Sequence, residues 1–351
     1  MNTYRYHSSE CPIRKGVKQG DTFSAILFNC ILDMAFDLRR ASLTQESIFI
    51  VHGFLLLTNI RDADDILVYA KSLDELKSMT EGLLHEMKQI GLSLNGKKTK
   101  VLRYFPSDED SSINIIEIFG EFIQILDEED SHRYLGRQLC TSPSDRVNIE
   151  VNNRIRAAWG AFRKHKCVLL DHNISLRLRL KMFAASIGPA LLFGTSVLPM
   201  TKHHLQKFDI LQRKMLRRIV GWRRIDGEEW KDTMKRMNDR LEEAQRLFFC
   251  EPSSMIFARS QWRYVKHLMD AYPLLWARIM SKFNKYSTDD PECDFLPYRT
   301  PGHPRMRWDD HIHSFCYKIW PRLRGRHWFD ILCHQDVASY EDEFIFHIAN
   351  L

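Results

Sequence analysis

Residues 54–94 constrain the fold of the N-terminal third more tightly than any other stretch of the chain. Ser72 can cap a helix, and Glu75 follows at the three-residue spacing of a capping box. Leu73, Leu76, Met79, Leu83, Leu84, Met87 and Ile90 then recur at helical spacing, predicting an amphipathic helix over residues 73–90. Gly91 stands where a left-handed residue ends a helix, and Leu92-Ser93-Leu94 alternates as a strand entering a core would. Just upstream, apolar residues 54–57 and 66–69 flank Arg61-Asp62-Ala63-Asp64-Asp65, which predicts a β-hairpin with its acidic residues at the bend. Helical and strand patterns mix in residues 1–105 and later stretches read as helical, an α+β pattern.

The whole chain, at 351 residues, is long enough for two or three domains. The pattern divides it into a mixed segment (residues 1–105), an acidic connector with a short hairpin near 113–126 (106–146), a basic helical segment (147–226) and further helices (227–351). Pro252, Pro273, Pro291 and Pro297 interrupt the last segment. Eight cysteines occur singly with no Cys-x-x-Cys pair, the usage of reduced intracellular thiols in the nucleus or cytoplasm. No apolar signal core precedes Glu10 and residues 187–198 are broken by Gly188, Pro189 and Gly194, so neither secretion nor a membrane span is expected.

Charge is unevenly spread. Residues 151–225 hold sixteen Lys and Arg against Asp171 and Asp209 alone, a surplus of fourteen. The whole chain is only +6, so the rest is net acidic by eight. One basic segment on an acidic protein points to a polyanionic partner, and Arg213, Lys214, Arg217 and Arg218 form its densest cluster. Trp159, Phe162, Phe183 and Trp222 interleave with these charges, as core residues of a helical bundle or as base-stacking platforms. Cys293, His303, His311, His313 and Cys316 match no compact zinc spacing, so structural roles are expected for them.

The chemistry concentrates at Asp64 and Asp65. Adjacent carboxylates on a tight turn can direct oxygens at one Mg²⁺ ion, which takes hard oxygen ligands from one or two carboxylates and substrate phosphates. An isolated pair of this kind is more often a solvated acidic turn. Upstream, however, runs Gly16-Val17-Lys18-Gln19-Gly20-Asp21, with Ser24, Leu27, Phe28 and Asn29 following, and from Ser24 onward the pattern predicts a buried helix. With Ala63-Asp64-Asp65, this resembles the palm of reverse transcriptases of non-LTR (LINE-type) retrotransposons. Later segments agree in order: Gly91-Leu92 with Asn95, Lys98 and Thr99; Tyr134-Leu135-Gly136; residues 189–194 and 211–219; and Gly302-His303-Pro304 with Arg307-Trp308-Asp309-Asp310.

The resemblance implies an RNA-directed DNA polymerase module binding RNA, DNA and deoxynucleotides, with Mg²⁺ held by Asp64 and assisted by Asp65. It implies that Gln19, Gly20 and Ser24 contact template and nucleotide, that Tyr134 and Gly136 position the primer end, and that Lys98 donates a proton to pyrophosphate. Residues 147–226 would be thumb-like. Two departures stand out: Asp62 where the family has an aromatic residue, and Ala25 where proline is usual. The family's upstream aspartate has no counterpart among residues 1–15, and Glu10 lies too close to Gly16 to replace it. The expectation is therefore a truncated module without polymerase activity as an isolated chain. The alternative is a non-catalytic nucleic-acid-binding remnant or a domesticated protein.

Overall fold

The computed structural model describes residues 21–42, 50–51, 55–56, 59–103, 113–127, 130–142, 145–221, 223–248, 250–271 and 306–351. They fall into two compact units, 1–142 and 143–351. The first mixes helices and small sheets and the second is helical, giving the expected α+β class.

In the first unit, α1 (Thr22–Ser42) packs on α2 (Leu73–Gln89). The buried face of α2 is Met79, Leu83, Leu84 and Met87, as its spacing predicts. Ser72 Oγ accepts the Glu75 amide at 3.2 Å, but the reciprocal arm is shifted by one residue: Glu75 Oε2 accepts the Lys71 amide at 2.6 Å. Gly91, at φ +81°, ends the helix, with Gly91 N–H on Lys88 O and Leu92 N–H on Met87 O, the paired bonds of a Schellman stop. Leu92-Ser93-Leu94 is not a strand. It joins no ladder, and only Leu92 and Leu94 pack on the core.

Among the described residues, three two-stranded ladders and one three-stranded sheet complete the unit. Ile50–Val51 (β1) pairs with Leu55–Leu56 (β2), so Leu55 and Leu56 of the apolar run before the acidic turn face residues 50–51. The strand facing β4 (Asp65–Val68) is instead β3 (Asn59–Asp62). The three-stranded sheet has the order β5-β7-β6, from Lys100–Leu102 (β5), Ile115–Ile118 (β6) and Glu121–Leu126 (β7), with β5 and β7 parallel. β6 and β7 form the expected connector hairpin, turning at Phe119-Gly120 with φ +55° and +82°, the two left-handed residues of a type I′ turn. His132–Tyr134 (β8) and Arg137–Leu139 (β9) form the last ladder. Leu32 and Phe36 of α1, the α2 stripe, Val101, Ile118, Ile123 and Ile125 make one core.

α1 departs from expectation. It is not buried: Phe23, Ile26, Leu27, Ile31 and Met34 are exposed while Leu32, Ala35 and Phe36 face the core. An apolar sequence all round predicted burial all round; the described residues cover one side.

The second unit is built from α3 (Arg146–Lys164), α4 (Lys166–Leu169), α5 (Leu176–Leu192), α6 (Lys202–Val220), α7 (Trp230–Leu247), α8 (Ser253–Asp270), α9 (Asp310–Ile319), α10 (Trp328–Leu332) and α11 (Glu341–Ala349). α5 packs on α3 and α6, α6 on α7 and α8, and α8 on α11, around one core. Trp262 stacks on Phe344 at 4.7 Å between ring centroids, and its Nε1 donates to Val337 O at 2.8 Å, so this large buried ring is also satisfied. Buried Gln212 ties α6 to the start of α8: Nε2 donates to Glu251 O, and Oε1 accepts from both Ser253 N and Ser253 Oγ. Contrary to the sequence reading, residues 176–197 are long and apolar enough by composition to cross a bilayer. Here Leu180, Phe183, Ile187 and Leu191 of that stretch are buried in the helical core.

Candidate functional site

The β3–β4 register pairs Arg61 with Ile66 and Asp62 with Asp65, leaving Ala63-Asp64 as a two-residue turn. Ala63 takes φ +52°, a left-handed conformation that costs an alanine about 1–2 kcal/mol and is found more often at functional sites. Asp64 therefore sits at the tip and Asp65 begins the return strand, as the sequence predicts. Asp62 and Asp65 are directly opposed, so their side chains share a face, where like charges repel. All three carboxylates are exposed. This donor set, carboxylate oxygen throughout, fits a hard divalent cation.

Arg61 projects from the other face of the strand. Its Nη1 donates to Asp33 Oδ1 of α1 at 2.6 Å, and its guanidinium lies 4.3 Å from the Phe36 ring centroid. The anchor thus fixes the hairpin to α1 and leaves the acidic face without a cationic neighbour on its own strand. Sequence reading passed over Arg61 and Asp33; neither has a spacing signal, because they lie 28 residues apart.

The β8–β9 ladder adjoins the acidic hairpin electrostatically. Burial pushes the Tyr134 phenol up, and the charges of Asp65 and Asp62 push it further. Burial pushes His132 down, helped by Lys100 and opposed by Asp65. Leu135 and Gly136, at φ +47° and +77°, form another type I′ turn, which explains the glycine. His132 joins this site through the ladder alone, with no spacing signal in the chain to select it.

Of the other expected site residues, Gln19 and Gly20 lie outside the described residues. Ser24 is half-buried in the first turn of α1. Lys98 is exposed at the end of a turn organised by Asn95, whose backbone oxygen accepts the Lys98 and Thr99 amides. Gly96 belongs to the same turn, and a Cβ there would meet Glu121 Oε2 at 2.6 Å, so a larger residue would make the Glu121 carboxylate swing aside.

The basic segment divides by burial. Arg213, Lys214 and Arg218 are exposed on α6, and Arg156, Arg163, Lys164 and Lys166 on α3 and α4. Others serve the fold. Arg179 Nη1 donates to Ile219 O at 2.6 Å, satisfying the end of α6. Arg154 pairs with Glu150 at 2.7 Å in a buried setting. Arg217 is half-buried and bonds Asn238 Oδ1 at 2.8 Å. Phe162 and Phe183 are core, Trp159 is half-buried beneath Arg218 at 5.0 Å, and Trp222 lies outside the described residues.

Of the five Cys and His residues with no zinc spacing, Cys293 and His303 lie outside the described residues. His311 is held by Met200 O at 2.7 Å, and burial pushes the Cys316 thiol up to about 12, so it is no ready ligand.

Comparison with known proteins gives three matches. The family described as reverse transcriptase (RNA-dependent DNA polymerase) matches residues 2–139. An uncharacterized transposon-derived protein of Caenorhabditis elegans is 32% identical over 167 residues, 47% of this chain and 57% of that protein. The retrovirus-related Pol polyprotein from type-1 retrotransposable element R2 of Nasonia vitripennis is 28% identical over 127 residues, 35% of this chain and 12% of that protein. The chain thus spans little more than half of one relative and about an eighth of the other.

Proposed function

We propose, from the similarity of residues 2–139 to the reverse transcriptase family and of the chain to an R2 retrotransposon Pol polyprotein, that it is a non-LTR reverse transcriptase with an RNA-directed DNA polymerase role divided between two surfaces. The acidic hairpin holds a catalytic divalent cation, and the exposed cations of α3, α4 and α6 hold nucleic acid. Polymerases of this family generally use divalent metals; we assign Mg²⁺ to Asp64 and Asp65. When bound, such an ion neutralises charge on transferring phosphates and steadies attacking and leaving oxygens. Gln19, Gly20 and Ser24 line the template and nucleotide, Tyr134 and Gly136 the primer end, and Lys98 supplies a proton to pyrophosphate.

The observation that supports this reading best is Asp64 at the tip of a two-residue turn, beside Asp65 and within electrostatic reach of Tyr134. That Asp64, Asp65 and Tyr134 belong to one unit supports the reading. Primer extension on an RNA template, with Asp64→Ala and Asp65→Ala variants alongside, tests it. Extension that disappears in both variants supports the role; extension that survives their combination, or a parent chain that extends no primer, overturns it.

A second reading, binding without catalysis, is favoured by Asp62 facing Asp65. A third carboxylate adds like-charge repulsion on that face and weakens an ordered two-metal arrangement.

A further inference from the structure

Three titratable side chains converge inside the helical unit. Asp309 is the N-cap of α9, His313 lies one turn along the same helix, and His327 is the N-cap of α10. All are more than nine-tenths buried, at 1%, 8% and 4% relative exposure. His313 Nε2 lies 3.6 Å and His327 Nε2 3.9 Å from one oxygen, Asp309 Oδ2. One ligand atom from each residue falls within 4.8 Å of the other two. The imidazoles meet at 5.1 Å between centroids and 81° between planes.

The carboxylate is poorly served as it stands. Oδ2 accepts Trp328 Nε1 at 3.2 Å, while both histidine contacts are too long for hydrogen bonds. Asp309 Oδ1 and His313 Nδ1 have no hydrogen-bond partner among the described residues. A buried carboxylate in this state is costly unless positive charge is brought to it.

We propose that Asp309, His313 and His327 bind one Zn²⁺ ion, through a carboxylate oxygen and one nitrogen from each ring, with water in the fourth position. Two imidazoles and a carboxylate are a donor set for zinc, whereas Mg²⁺ prefers oxygen throughout. Ligands at about 2.0–2.1 Å from a tetrahedral ion lie about 3.3–3.4 Å from one another, so each histidine nitrogen must close on Asp309 Oδ2 by about 0.2–0.6 Å and the widest pair of ligand atoms, within 4.8 Å now, by up to about 1.5 Å. His327 Nδ1 now accepts the Phe329 amide at 3.2 Å. Ligation through Nε2 moves the ring proton to Nδ1 and exchanges that cap bond for a metal bond. The ion then staples α10 to the start of α9, closing the intervening loop. The separation of Asp309 and His313 by one helical turn is legible in sequence, but the arrival of His327 is tertiary.

The test uses the whole chain, stripped with chelator and titrated with zinc sulfate by calorimetry, with thermal unfolding followed in parallel. One equivalent of Zn²⁺ is expected to bind, and Zn²⁺ but not Mg²⁺ to raise the unfolding temperature. His313→Ala and His327→Ala are each expected to lose affinity by at least about 100-fold, more than loss of a supporting residue costs. Co²⁺ substituted into the parent should show the visible absorption of a four-coordinate site, which settles the matter even if both variants fold poorly. A parent chain that takes up no Zn²⁺ and unfolds at the same temperature with and without it overturns the proposal. So does zinc binding that survives both histidine substitutions, which would place the ion elsewhere among the fifteen histidines.

Discussion

Arg61 and Asp33 join the acidic hairpin to α1 across 2.6 Å, with the same guanidinium lying over Phe36. The bond holds one face of β3 while Asp62, on the opposite face, stays in solvent. Both partners are partly exposed, so the ion pair contributes about 0.2–1 kcal/mol and the ring contact about 0.5–1 kcal/mol. Arg61→Ala should therefore destabilise the first unit by about 1–2 kcal/mol. Arg61→Lys should recover only part, since an ammonium lacks the planar face. Amide hydrogen exchange in residues 59–68 is the measurement, with faster exchange expected in the alanine variant.

Asp62→Asn removes one of two directly opposed charges. Without divalent cation the hairpin should exchange more slowly, by up to about 1 kcal/mol in opening free energy. With saturating Mn²⁺ the difference should shrink, because a bound cation already screens the pair.

Gln212 makes three buried hydrogen bonds to Glu251 and Ser253. Gln212→Leu keeps the volume but strands those partners, at about 1–3 kcal/mol for each group left unsatisfied. A fall in the thermal unfolding temperature is expected for this variant, with almost none for Arg213→Ala on the neighbouring exposed position.

Acid should weaken the helical unit through Glu228. Hydrogen bonds from Arg236 and then Thr233 hold its carboxyl at about 2, against an ordinary 4.5. Because the folded value is depressed, its contribution is present above about pH 4.5 and is lost as pH falls towards 2. Denaturant unfolding from pH 6 down to 2 should show the loss, and Glu228→Gln should flatten that part of the profile.

Nucleic-acid binding should depend on salt and on exposed cations only. For about five neutralised phosphates, log K against log salt should slope near −3.5 on single strands. Removing Arg213, Lys214 and Arg218 together should reduce the slope by about 2. Arg217→Ala should act mainly on stability, through its lost bond to Asn238.

Local order was legible where local rules govern. Ser72, the α2 stripe and Gly91 gave a helix with both ends, and the acidic turn fell where its flanking strands put it. The partner strand was misassigned because 54–57 and 59–62 are both adjacent to the turn, and only the ladder decides between them. Composition overstated the nucleic-acid surface: Arg154, Arg179 and Arg217 read as basic residues like the rest, yet burial turns them to the fold. The His327 approach to Asp309 and His313, like the Arg61–Asp33 bond, joins residues with no periodic relation in the chain.

Mn²⁺ binding, read by electron paramagnetic resonance as loss of the free-ion signal, tests the metal role of the hairpin most directly. The chain should bind Mn²⁺ at a site abolished by combining Asp64→Ala with Asp65→Ala, while Asp309→Asn leaves that site unchanged. Equal Mn²⁺ binding by the parent and the Asp64→Ala, Asp65→Ala protein would contradict the assignment of the acidic hairpin as a catalytic metal site.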